Sequence, residues 1–228
     1  MDHSDAVERE AGKRLDAFVD AAFAFAVTLL IIAGAEPLTG FADLGRALAH
    51  VPAFAAGFAL VTMFWSAHRG FGRLTTARGG AIGLISLAIV FTVLVYVFPL
   101  RLLTESGMGW ISGGRLPGGE LIRSIGDLRG IFVSYGIGFA FLSGLYALLN
   151  HVGRPQARDP AARAALGAAR DVWLMCVGAG LVSAGLAASP LLAAAPWAPG
   201  FAYWLIPAGI GLYYGLKRKP AAGPDPAA

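Results

Sequence analysis

Asp20 is the residue whose type and position most demand a chemical reason. It is the only Asp, Glu, Lys or Arg inside the apolar stretches of this chain, and a carboxylate within a bilayer costs about 2.5–3.5 kcal/mol or more unless a partner or water receives it. A hydrated position near the interface, two turns beyond Arg14, is the plainer alternative. Trp65 and His68 come next, three residues apart and so on one helix face. An indole N–H donates and an imidazole both donates and accepts, so the pair suits a buried hydrogen-bond network with Asp20 or Arg14; the alternative is a belt Trp beside a solvated His. Asp20 and His68 would also serve as the relay of a proton-coupled secondary transporter. Bis-His haem ligation would pair His68 with His50 or His151, but the expected topology puts His50 on the other side of the membrane. No nucleophile, base and orienting group recur at informative spacing, so the chain does not read as an enzyme. Cys176, the single cysteine, forbids an intrachain disulfide and reads as a small packed hydrophobe.

These residues need long apolar elements to hold them. Of the 228 residues 57% are hydrophobic and only 14% charged, against about 25% charged in a soluble domain. Mean hydropathy is +0.65, and 31 glycines suit close helix packing in a bilayer. The fold class is therefore all-α, a multi-pass membrane protein. At roughly 20 apolar residues per crossing, six spans are expected, at 17–35, 51–67, 81–100, 131–150, 172–195 and 201–216, within one domain over 1–219. Pro190, Pro196, Pro199 and Pro207 make the last two boundaries the least regular. Residues 101–130 read as a Gly- and Ser-rich irregular loop with at most a short turn near Glu120, and 220–228 as a disordered Pro/Ala tail.

Charge sets the direction. The first sixteen residues are charged rather than basic-then-apolar, so the first span is expected to stay in place rather than be cleaved. With the N-terminus inside, the inner side holds thirteen Lys and Arg and the outer side only Arg46, Arg101, Arg115, Arg123 and Arg129, so both termini are expected in the cytoplasm. The net charge of +4 is spread over helix flanks, which speaks against nucleic acid as a partner. No three-helix half repeats in the other, which weighs against an inverted-repeat transporter. On a helical wheel Phe25, Thr28, Leu29 and Ile32 form one stripe of the first span, with Asp20 toward the opposite side. A stripe of this kind is ordinarily packing.

The run Arg14-Leu15-Asp16-Ala17-Phe18-Val19-Asp20-Ala21, continuing through Phe23 to Thr28-Leu29-Leu30, resembles the first-helix signature of the prokaryotic transmembrane protein 175 family of potassium channels. That signature is an Arg, three residues, Phe-Ser-Asp, then an Ala-rich run ending in Thr-Leu-Leu. Trp65, His68 and Phe71 match the family's pattern at the end of its second helix, and Phe98-Pro99 the Pro that closes its third. The last three spans match in hydropathy alone. The resemblance implies a homotetramer in the lipid bilayer of a bacterial inner membrane, without a cofactor, passing potassium modestly better than sodium through a central pore lined by the first helix. It implies bulky apolar layers at Phe25, Leu29 and Ile32, a hydroxyl ring at Thr28, and a supporting network of Arg14, Phe18, Asp20, Trp65 and His68. Three departures stand out: Val19 where the family has Ser, Ala21 where it has Gly, and Phe25 where it has Ile or Leu.

Overall fold

The computed structural model describes residues 3–33, 39–75 and 79–217, and every regular element among them is helical. The chain runs through α1 (His3–Ile32), α2 (Phe41–Ala49), α3 (Val51–Leu74), α4 (Gly80–Ile111), α5 (Ile125–Gly153), α6 (Pro160–Ala188), α7 (Leu191–Ala194), α8 (Ala198–Phe201) and α9 (Leu205–Lys217). Five helical stretches are long and apolar enough to cross a membrane: Gly12–Ile32, Asp43–Leu74, Gly80–Ile111, Ile125–Gln156 and Pro160–Ala188.

The expected sixth crossing is segmented. The fifth span does not reach 195 but stops at Ala188, before Ser189 and Pro190, and α8, a 3-10 turn at Ala202–Trp204 and α9 follow in succession. Pro207 has no N–H to offer the carbonyl four residues back. That carbonyl belongs to Tyr203, where the helix tightens to 3-10 geometry. From Ala198 to Lys217 these segments follow one another without a gap, so the expected span 201–216 is helical along its length but changes helix type at Ala202–Trp204. The tail at 220–228 lies outside the described residues.

The other correction concerns the loop expected over 101–130. Helix α4 continues through Pro99 to Ile111, so that proline does not close its helix, and α5 begins at Ile125. The extension is polar in a way a helix can satisfy: Arg101 donates to Glu105 one turn on, at 2.9 and 2.6 Å, and the Thr104 hydroxyl donates to the Arg101 carbonyl. At its end Gly114 N–H reaches the Gly109 carbonyl and Gly113 N–H the Trp110 carbonyl, a Schellman closure with Gly113 at φ +64°. The shortened connection then folds back on α4. A Cβ at Gly118, φ +114°, would stand 2.2 Å from the Glu105 carbonyl oxygen, so only glycine fits there.

Small residues and aromatics hold the bundle together. At the crossing of α5 and α6 a Cβ on Gly136 would meet the Gly180 carbonyl at 2.7 Å, and one on Gly180 the Gly136 carbonyl at 2.8 Å. Ala184 and Ala140 stand one turn further along each helix, so the pair is a small-xxx-small contact on both sides. Phe64 of α3 is stacked on Tyr146 and Trp173, both at 5.7 Å, with Tyr96 edge-on at 6.5 Å. The Tyr146 hydroxyl donates to the Phe64 carbonyl at 2.7 Å, which satisfies a polar tip inside an apolar core. This cluster joins α3, α4, α5 and α6 into the platform on which α1 lies.

The connections fix the relative direction of the helices. Thr75, after α3, donates to the Gly153 and Gln156 carbonyls after α5, and Arg158 N–H donates to the Leu74 carbonyl. Both turns therefore share one end of the bundle, and Leu15 of α1 lies over Gly83 near the start of α4 at that end.

Candidate functional site

Helix α1 buries one face and leaves the other bare. Val19, Phe23, Ala26 and Leu30 are buried against α3 and α4, at the i, i+4, i+7, i+11 spacing of a single face. Leu30 seats over Gly57 of α3, where a Cβ would come within 2.8 Å of its methyl group. On the far side Phe25 is 55% exposed and Ile32 60% exposed, with Thr28 exposed between them and the small residues Ala21 and Ala24 exposed just before. An apolar helix face that the protomer does not cover must meet lipid, another copy, or an axis formed by several copies.

The stripe read from the wheel is thus largely reproduced, with two differences. Leu29 is half-buried and packs at the edge of the core, while Ile31, which the wheel left out, is 53% exposed. Asp20 sits on the flank facing α3, not diametrically behind the stripe. Its carboxylate accepts a hydrogen bond from Trp65 Nε1 at 2.8 Å, and the Arg69 guanidinium lies over the same indole, 4.9 Å from the ring centroid. The Thr28 hydroxyl donates to the Ala24 carbonyl at 3.1 Å, so its oxygen keeps lone pairs for a cation.

The remaining supporting residues have other neighbours. His68, buried, shares a hydrogen bond of 3.0 Å with Ser86 of α4, also buried. Arg14 faces Glu10 at 3.6 Å, both exposed, and Phe18 is 52% exposed. Two links therefore clamp the region, Asp20 to Trp65 between α1 and α3, and His68 to Ser86 between α3 and α4. Arg69 was missed although it stands four residues after Trp65, a same-face spacing the sequence displays. Ser86 carried no such signal, because its partner lies on another helix. His50 and His68 are separated by eighteen residues of one helix, about 27 Å, too far to ligate one haem. Among the described residues no three His, Cys, Asp or Glu gather as a metal site.

Two ion-pair positions mark the other end of the bundle. His50, between α2 and α3, lies 3.3 Å from Glu105, which Arg101 also contacts. Glu120 in the connection accepts from Gly118 N–H, and the backbone N–H groups of Glu120 and Gly118, with His50 adding a weaker attraction, hold its carboxyl below the ordinary range.

Residues 14–99 match the family model described as endosomal/lysosomal potassium channel TMEM175. A protein of Marivirga tractuosa named potassium channel is 33% identical over 131 residues, 55% of this chain and 52% of that one, so the chain spans about half the length of the curated relative it matches. Among solved structures, the potassium channel MtTMEM175, crystallised as a variant with a nanobody fusion, superposes with a TM-score of 0.74 over 91% of this chain and 94% of the other, at 22% identity. At that identity the likeness is one of fold. Residues 14–99 are thus similar in sequence to the TMEM175 channel family, and nine-tenths of the chain shares the fold of a solved TMEM175 channel.

Proposed function

We propose that the chain is the protomer of a homotetrameric, potassium-permeable channel in a bacterial inner membrane, both termini cytoplasmic, with α1 around a central pore. The observation that carries this reading is the bare apolar face of α1, set on a platform that buries its opposite face completely. Ala21, Ala24 and Thr28 on that face are small enough for copies of α1 to approach one another. Phe25, Leu29 and Ile32 then form the apolar layers and Thr28 a ring of hydroxyl oxygens.

The mechanism follows from dehydration. An apolar constriction closes by expelling water and opens when it wets, and no charged group in its wall binds the ion tightly. Potassium sheds its water more cheaply than sodium, and Thr28 oxygens replace part of the lost shell, so selectivity is modest. Four Phe25 rings either fill the axis or turn aside and present their faces, an attraction of about 0.5–2 kcal/mol for a cation. Asp20 acts from the flank, through Trp65, as a brace for the angle of α1 and not as an ion ligand.

Purified protein in potassium-loaded liposomes tests this reading. Passive, unsaturated potassium efflux is expected, larger in Phe25→Ala. Impermeable vesicles with both proteins contradict it, and saturable uptake lost in Asp20→Asn would point to the proton-coupled transporter instead.

A further inference from the structure

A second apolar surface lies away from α1. At the end of the bundle opposite the chain's first residues, α4, the 112–124 connection, α5 and the 196–204 segment enclose an open groove of about 960 Å³. That is near the upper end for ligand sites, roughly 300–1,000 Å³. Phe132 and Phe201 line it, and Trp110, Trp197 and Trp204 stand exposed along it. One wall is nearly bare backbone, because Gly107, Gly109 and Gly113 lie on it, and Gly109 is held there by the folded-back connection: a Cβ on it would strike Gly119 N at 2.6 Å.

One polar group breaks this apolar lining. Ser106 lines the groove, is only 4% exposed, and its Oγ has no hydrogen-bond partner among the described residues. A buried hydroxyl left unpaired costs about 1–3 kcal/mol, so it calls for an acceptor from outside. An apolar trough, one buried donor, and three indoles whose amphipathic rings settle at headgroup level together describe an amphiphile with a carbonyl at the head of its chain.

We propose that this groove holds an acyl chain of a diacyl phospholipid, with the Ser106 hydroxyl donating to its ester carbonyl and Trp110, Trp197 and Trp204 flanking the headgroup. The site takes no residue from α1, so it lies outside the proposed pore. It rests on the chain spanning a membrane, but not on potassium conduction.

The test uses full-length protein in vesicles of phosphatidylethanolamine and phosphatidylglycerol, doped with a phosphatidylethanolamine carrying a diazirine on one acyl chain, with labelled peptides mapped by mass spectrometry. Saturable labelling concentrated at 103–111 and 197–204 is expected, well above that at Leu84 and Phe91 on the exposed face of α4. Gly107→Phe fills the trough from a position whose added Cβ meets nothing within 4 Å. Displacing even two buried methylenes is worth about tenfold, so groove labelling falls by about that factor while labelling at Leu84 and Phe91 holds. Ser106→Ala weakens it about three- to tenfold. Labelling equal at all exposed positions and indifferent to both variants means ordinary surrounding lipid and overturns the proposal. So does cross-linking of the groove to another copy of the chain, which would make it a subunit interface. Both readouts are independent of ion flux.

Discussion

Replacing Trp65 by Phe keeps an aromatic ring under Arg69 but removes the indole N–H that donates to Asp20 at 2.8 Å. A hydrogen bond to a charged group contributes about 1.5–3 kcal/mol when dry, and about 1 kcal/mol or less when the carboxylate stays hydrated. On the isolated protomer Asp20 is exposed and Trp65 half-buried, so the lower figure holds unless other copies cover α1. Assembly around an α1-lined axis therefore predicts a Trp65–Asp20 coupling of about 1.5–3 kcal/mol in the intact oligomer. The assay is a double-mutant cycle of Trp65→Phe and Asp20→Ala, read by unfolding in mixed micelles, in which the Arg69 contact cancels. Asp20→Asn keeps an acceptor oxygen and should lose less than Asp20→Ala. In liposomes the same variants should alter potassium efflux, since the brace sets the angle of the pore helix. Additivity within about 0.5 kcal/mol, with unchanged efflux, refutes the brace.

Other consequences follow from single contacts. Gly136→Leu or Gly180→Leu drives a side chain into a facing carbonyl that cannot yield, so each should destabilise by about 3 kcal/mol or more in a thermal melt, whereas Gly70→Ala, with open space around it, should not. His68→Ala strands the buried Ser86 hydroxyl and should cost about 1–3 kcal/mol; the double variant with Ser86→Ala should recover part of that loss. Glu120 is held below the usual carboxylate range by backbone N–H donors. A depressed native value stabilises the folded connection at neutral pH, and that contribution disappears as pH falls through the native value, so Glu120→Gln should flatten the acid limb of the melting-temperature profile.

The first two spans were legible because each advertises itself twice, by an unbroken apolar run and by a polar residue that such a run does not otherwise tolerate, Asp20 in one and Trp65 with His68 in the next. The buried side of α1 was implicit in the same wheel that displayed its bare side. What the sequence hid is nonlocal. Arg101 and Glu105 look like the start of a loop until one sees that they satisfy each other one turn apart, carrying α4 eleven residues past its expected end. Pro99 looks like a terminus, but one missing N–H in a long packed helix is a small loss. The last expected span is helical but segmented: Pro199 and Pro207 flank the 3-10 turn at Ala202–Trp204, and in short elements a missing N–H is felt locally. Ser86 and the groove around Ser106 depend on which helices meet, which spacing along one helix does not encode.

The central claim is that the bare face of α1 touches the ion path. Cys176, the single native cysteine, is buried, so cysteines introduced elsewhere report on their own positions. Silver ion, close to potassium in size, should block potassium efflux through Thr28→Cys and Ile32→Cys protein in liposomes and leave Leu84→Cys, on the exposed face of α4, unaffected. Block at Leu84→Cys alone, or efflux through Thr28→Cys and Ile32→Cys unchanged by silver, would place the ion path elsewhere and contradict the account.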